Sequence, residues 1–207
     1  HGARIARALA KELGYAFVDK ALINKVIRQY GLTRLDLIYD HKPKIWELFN
    51  DNSAVTIKMM NETIAAIAAR GDVVILGRGG FRVLADMADV VNVFVKASDS
   101  VRAKRIGKRD HINTGEAEEL IKADDELRSR FVRLFYGADW ADEAAYDLVI
   151  DTGSLSDEEA VARVVEAVRA LPEAAAPDRK ASALEVDPVL AKTVADAMAR
   201  KAAKSAS

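Results

Sequence analysis

The sequence predicts an α/β protein, a three-layer α/β/α arrangement on a mostly parallel sheet. Two observations carry this. The runs Val73-Val74-Ile75-Leu76 and Val90 to Val95 are uncharged and too short for helices, so they suit strands covered on both faces. Amphipathic stretches with helical spacing lie between such runs, and strands that alternate with helices favour parallel sheets. With 207 residues, half of them apolar, the chain can bury one sizeable core, and nothing demands a second.

The elements follow in order. Ala3 to Leu13 reads as a helix with Ile5, Leu9 and Leu13 on one side, stopped by Gly14 and followed by the short run Tyr15-Ala16-Phe17-Val18-Asp19. A helix opening on Gly2 straight after His1 is the expected remainder of a unit whose first strand and most of a glycine-rich turn lie upstream. Ala21 to Tyr30 is a second helix with Leu22, Ile23, Val26 and Ile27 inward, ended by Gly31. Leu32 to Asn52, with Pro43, Trp46 and Phe49, reads as an irregular insert over the body. Ser53 to Arg70 is a long helix capped by Gly71, and Phe81 to Met87 a short one. Ser98 to Arg109 and Glu116 to about Tyr136 are helices, and Tyr146 to Ile150 is a third strand. Ser156 to Leu171 closes the domain with Asp157, Glu158 and Glu159 in its first turn, where their charge suits the helix dipole.

Residues 1–171 thus form one α/β domain. Pro172 to Arg179 reads as a linker of Pro, Ala and charge, and Pro188 to Lys204 as an alanine-rich helix with Val189, Leu190, Val194 and Met198 in a thin apolar stripe. That helix is expected to be a partly ordered tail that docks weakly or not at all, with homodimer or partner binding as the alternative.

Composition narrows the functions. The 31 Lys and Arg nearly balance the 32 Asp and Glu, leaving a formal charge of -1, so no overall basic field draws the chain to nucleic acid or membrane. Any phosphate chemistry must be local. The absence of cysteine excludes thiolate nucleophiles, disulfides and sulfur-bound metals, and suits a cytoplasmic location. No uncharged apolar run reaches the length of about 18 residues that spans a bilayer.

Gly77-Arg78-Gly79-Gly80 follows the buried strand, so it lies at the carboxyl end of the sheet, where ligands of open α/β folds bind. An arginine between glycines can present its planar fork to a phosphate; the alternative is an ordinary turn with a solvated arginine. Arg102, Arg105 and Arg109 are three and four apart and share a helix face, together with Lys104 and Lys108 nearby. They can neutralise a polyphosphate, or simply form a solvated helix end. On the next helix Asp125 stands one turn from Arg128 and can fix its fork toward a ligand. Asp19 faces the carboxyl edge. Trp140 reads as a packing residue, with a lid anchor as the alternative. His41 and His111 are isolated, no metal-ligand spacing exists, and neither a G-x-x-x-x-G-K-[ST] loop nor a Ser-His-Asp set is found.

Several segments in order, His1-Gly2-Ala3-Arg4-Ile5-Ala6, Phe17-Val18-Asp19-Lys20, Val74-Ile75-Leu76-Gly77-Arg78-Gly79, Arg102 with Arg105, Asp125 with Arg128, Gly137-Ala138-Asp139-Trp140 and Tyr146 to Thr152, resemble the cytidylate kinase-like family of P-loop NTPases over residues 1–170. The resemblance implies transfer of the terminal phosphoryl group of Mg-ATP to CMP or a related nucleotide, with ATP and Mg2+ as cofactors. It implies that Asp19, Arg78 and Asp125 handle the acceptor, that Arg78, Arg105, Arg109 and Arg128 act on the transferring phosphoryl group, and that Gly2 and Arg102 meet the donor. Two departures stand out. Only the last part of the glycine-rich turn, His1-Gly2, is present, and Ile121, with Lys122 beside it, stands where the family places a further phosphate-binding arginine. A nucleotide-binding or interaction module with impaired catalysis is the alternative.

Overall fold

The computed structural model describes residues 1–30, 51–172 and 177–206. In order, the elements are α1 (Gly2–Leu13), β1 (Ala16–Val18), α2 (Lys20–Gln29), α3 (Asp51–Ala68), β2 (Val73–Ile75) and α4 (Gly80–Val83). They continue with β3 (Val93–Lys96), α5 (Asp99–Asp110), α6 (Thr114–Tyr136), β4 (Leu148–Asp151), α7 (Asp157–Arg169) and α8 (Pro188–Ala206). Residues 32–50 of the expected insert, with Pro43, Trp46, Phe49 and His41, lie outside the described residues, as does Gly31, whereas its last two, Asp51 and Asn52, begin α3.

The strands are all parallel and form two pairs. β1 joins β2 with Phe17 opposite Val74, and β3 joins β4 with Phe94 opposite Val149. No ladder links β2 to β3 among the described residues. Helix α1 bridges the pairs: Ile5 and Leu9 share one apolar cluster with Val74 of β2, Val93 and Val95 of β3, Ile150 of β4, and Ala160, Val164 and Val165 of α7. Successive strand residues point to opposite faces, so Val73 and Ile75 enter the other cluster, with α2, α3 and the C-terminal half of α6. The strands thus send side chains into both clusters, but every residue of β2 and β3 stays half-buried, short of the full cover their uncharged runs suggest. Each fully covered residue such as Ile23, Ile27 or Ile64 contributes about 2 kcal/mol of burial free energy.

Local signals set most helix ends. Gly14 closes α1 in the left-handed region at φ 71°. Capping boxes start α6, through Asn113 and Glu116, and α7, through Ser156 and Glu159. Three boundaries depart from the periodic reading. The short helix ends at Val83, because beyond buried Leu84 the chain is tied to the C-terminal segment: Ala88 N–H donates to Arg179 O at 2.7 Å and Asp89 accepts from Ala181 N–H at 2.8 Å. β3 starts at Val93 rather than Val90, and β4 at Leu148 rather than Tyr146, because Asn92 O receives the N–H groups of both Asp147 and Leu148.

The C-terminal helix is covered more fully than its thin stripe suggested. Leu190, Val194 and Ala197 are buried among α2 and α3, Ala181 joins the same cluster, and Val189 stays exposed. Its apolar face is occupied within the chain.

Candidate functional site

The turn after β2 holds three consecutive residues at positive φ, in the left-handed region: Gly77, Arg78 and Gly79 at 78°, 56° and 75°. Glycine accepts this freely, whereas Arg78 holds it at a cost of about 1–2 kcal/mol. A Cβ on Gly79 would lie 2.5 Å from Cε2 of Tyr136, so the turn sits directly against that ring. The Arg78 side chain points inward, 2% exposed, and donates from a terminal nitrogen to Asn24 Oδ1 at 3.1 Å. Burial rules out the solvated turn arginine. Asn24, a polar residue within the buried stripe of α2, is the partner that sequence reasoning missed.

On α5 the three arginines do share a face, and each is held differently. Arg102 grips both oxygens of Asp125 at 2.6 and 2.8 Å and also reaches Asp99 at 3.2 Å. That hydrogen bond to Asp125, foremost, holds its guanidinium above the usual arginine range. Arg128 donates to the same Asp125 at 2.8 Å, and its guanidinium lies 4.5 Å from the centre of the Trp140 ring. Arg102, Asp125 and Arg128 are therefore one unit.

Arg105 is anchored at the ends of β3 and β4. It donates to Thr152 Oγ1 at 2.8 Å and to Thr152 O at 2.5 Å, while Thr152 N–H bonds Lys96 O at 2.9 Å. Arg109 is more exposed and pairs doubly with its neighbour Asp110 at 2.6 Å, which holds the Asp110 carboxyl below the carboxylate range. The positive charge of both acts at the start of α1. The His1 amino group there is lowered from its ordinary value, first by burial and then by the positive charges of Arg105, Arg109 and Arg4. Gly2 sits close under β3, where a Cβ would touch that of Val95 at 4.0 Å.

Four aromatic rings link the β2 turn to Arg128. Phe81 stacks on Tyr146 at 4.7 Å and Tyr146 on Phe94 at 4.9 Å, and Phe94 meets Trp140 edge-on at 5.7 Å. Tyr146 Oη donates to Trp140 O at 2.7 Å, which fixes the loop after α6. Trp140 is thus a packing residue that also lies against Arg128.

Asp19 stands at the carboxyl end of β1. Its Oδ1 accepts from Leu22 N–H at 3.4 Å, making it the N-cap of α2, and its Oδ2 lies 3.9 Å from Arg7. With Leu22, Lys25, Arg200 and Lys201 it lines a cleft of about 280 Å³.

The structure therefore brings Arg102, Asp125 and Arg128 into direct contact, while Arg105 is held on Thr152 and Arg109 on Asp110. Arg78 contacts Asn24 after β2, and Asp19 contacts Leu22 and Lys201 after β1. Ile121 is 4% exposed and packs on Ala103 and Ala117 between α5 and α6, so a hydrophobic contact occupies that position, with Lys122 exposed beside it.

The comparisons with known proteins agree. The profile of the cytidylate kinase-like family matches residues 1–154. The cytidylate kinase of Ignicoccus hospitalis is 33% identical over 158 residues, covering 76% of this chain and 86% of that protein. That of Methanothrix thermoacetophila is 29% identical over 171 residues, covering 81% and 91%. A solved structure of an uncharacterized protein from Eubacterium ventriosum superposes with a TM-score of 0.65 at 19% identity, over 80% of this chain and 89% of that one, and so shares the fold. Since the profile spans about three quarters of the sequence and the three-layer fold and arginine-bearing α5–α6 pair are in place, the chain belongs to the cytidylate kinase-like family of the P-loop NTPase superfamily.

Proposed function

We propose that this protein transfers the terminal phosphoryl group of ATP to CMP or a closely related nucleoside monophosphate. One observation carries the reading: Asp125 holds Arg102 of α5 and Arg128 of α6 together, and the charges of Arg105 and Arg109 on the same α5 act at the start of α1. A helix N-terminus beside guanidiniums fits a polyphosphate, because backbone N–H groups, the helix dipole and planar cationic forks all favour clustered negative charge. CMP as acceptor is supported by the likeness to cytidylate kinases.

In this reading ATP enters as its magnesium complex, with its phosphates between Gly2 and Arg102, Arg105 and Arg109. Asp19, Arg78 and Asp125 orient the acceptor. An oxygen of the acceptor phosphate attacks the terminal phosphorus; the new P–O bond forms as the bond to the departing ADP breaks. The side chains contribute alignment and charge compensation rather than a covalent nucleophile. Asp125 holds the Arg102 and Arg128 forks before substrate arrives, so little reorganisation is left for the transition state.

The buried Ile121 supports a second reading, an acceptor-binding module with impaired transfer. ADP release from ATP with CMP, UMP, AMP or GMP, together with calorimetry for ATP and CMP, separates the two. Turnover led by CMP is the expected result. CMP binding without ATP binding or turnover would favour the module, and no binding of either nucleotide would refute both.

A further inference from the structure

The C-terminal helix α8 lies beyond residue 154, where the family match ends, yet it returns to the carboxyl end of β1. Leu190, Val194 and Ala197 seat it on α2 and α3. This seating delivers Lys201 Nζ to Asp19 Oδ1 at 3.2 Å, with the same ammonium 4.9 Å from the centre of the Phe17 ring. Arg7 of α1 approaches that ring at 5.1 Å. Asp19 Oδ1 thus receives two donors, Leu22 N–H and Lys201, whereas Oδ2 faces Arg7 at 3.9 Å, beyond hydrogen-bond length.

We propose that Lys201 is a positioning residue: it holds Asp19 Oδ1 so that Oδ2 is presented to a hydrogen-bond donor of the acceptor nucleotide, making α8 part of the acceptor site. The inference rests on the reading of Asp19 as an acceptor-side residue. A carboxylate with one oxygen fixed by two donors has one orientation to offer. Without Lys201 only the long N-cap bond restrains it, and the carboxylate can rotate toward Arg7. Lys201 is a third exposed and its ion pair with Asp19 adds little to stability.

The test compares wild type, Lys201→Met, Lys201→Arg, Asp19→Asn and the double variant Asp19→Asn/Lys201→Met by CMP calorimetry and steady-state kinetics. Asparagine still caps α2. Lys201→Met is expected to weaken CMP binding and raise the CMP KM by about fivefold, with the ATP KM and the melting temperature unchanged. Lys201→Arg should restore CMP affinity. In the Asp19→Asn background Lys201→Met should add nothing, since two residues that act as one unit are not additive. Unchanged CMP affinity in Lys201→Met, or an equal loss in both backgrounds, overturns the positioning role while leaving the kinase reading intact. A wild type that binds no nucleoside monophosphate overturns the kinase reading and the positioning role with it.

Discussion

Alanine at Gly79 should damage the fold far more than alanine at Gly77, although both residues are left-handed and only one residue separates them. Gly77 has φ 78° and nothing within 4 Å of a built Cβ, so Gly77→Ala meets only the backbone cost of about 1–2 kcal/mol. Gly79 has φ 75°, and its Cβ would stand 2.5, 2.7 and 2.7 Å from Cε2, Cζ and Oη of Tyr136. Nonbonded carbons settle near 3.5–4.0 Å, so the ring must shift by about 1 Å. That shift strains the packing beside Phe131, roughly 1–3 kcal/mol, and breaks the bond from Tyr136 Oη to Asn61 Oδ1 at 2.8 Å, about 1 kcal/mol. Gly79→Ala should therefore cost about 2–4 kcal/mol more than Gly77→Ala. Urea unfolding followed by circular dichroism reads the difference, and thermal midpoints should separate by roughly 4–16 °C at about 2–4 °C per kcal/mol for a domain of this size. Equal losses in the two variants would show that Tyr136 does not press on the turn.

Three further outcomes are expected. Arg105→Ala should lower turnover with ATP and CMP by roughly a hundredfold, if the guanidinium meets the transferring phosphoryl group, with CMP affinity retained; a coupled assay for ADP checks this, and a wild-type rate would exclude the role. Leu190→Ala, at a site 3% exposed, should destabilise the whole protein by about 2–5 kcal/mol in one cooperative urea transition, whereas a merely tethered tail would leave the midpoint unmoved. Glu159 is held below the carboxylate range by the Ser156 N–H and hydroxyl at the start of α7, so its contribution is fully present above the unfolded value of about 4.3 and fades as pH falls through the lower folded value. Glu159→Gln should flatten the acid limb of stability measured between pH 5 and 2.

Helices and the charged face of α5 were legible in the amino-acid order because they depend on neighbours within a turn or two. Ile5 and Leu9 share a face, Ser156 and Glu159 close a capping box, and Arg102, Arg105 and Arg109 fall in line through the pitch of a helix. Apolar runs such as Val73 to Ile75 likewise announced strands, although these are half-buried. Strand limits were less legible, since the start of β3 depends on Asn92 accepting from Asp147 and Leu148, partners more than fifty residues on. Arg78 meets Asn24 across 54 residues, Arg105 meets Thr152 across 47, and Lys201 reaches Asp19 across 182. No spacing rule covers such separations. They arise when helices seat on the two faces of the strands and their side chains must share a close-packed interior, so packing between layers assigns each arginine and aspartate its partner.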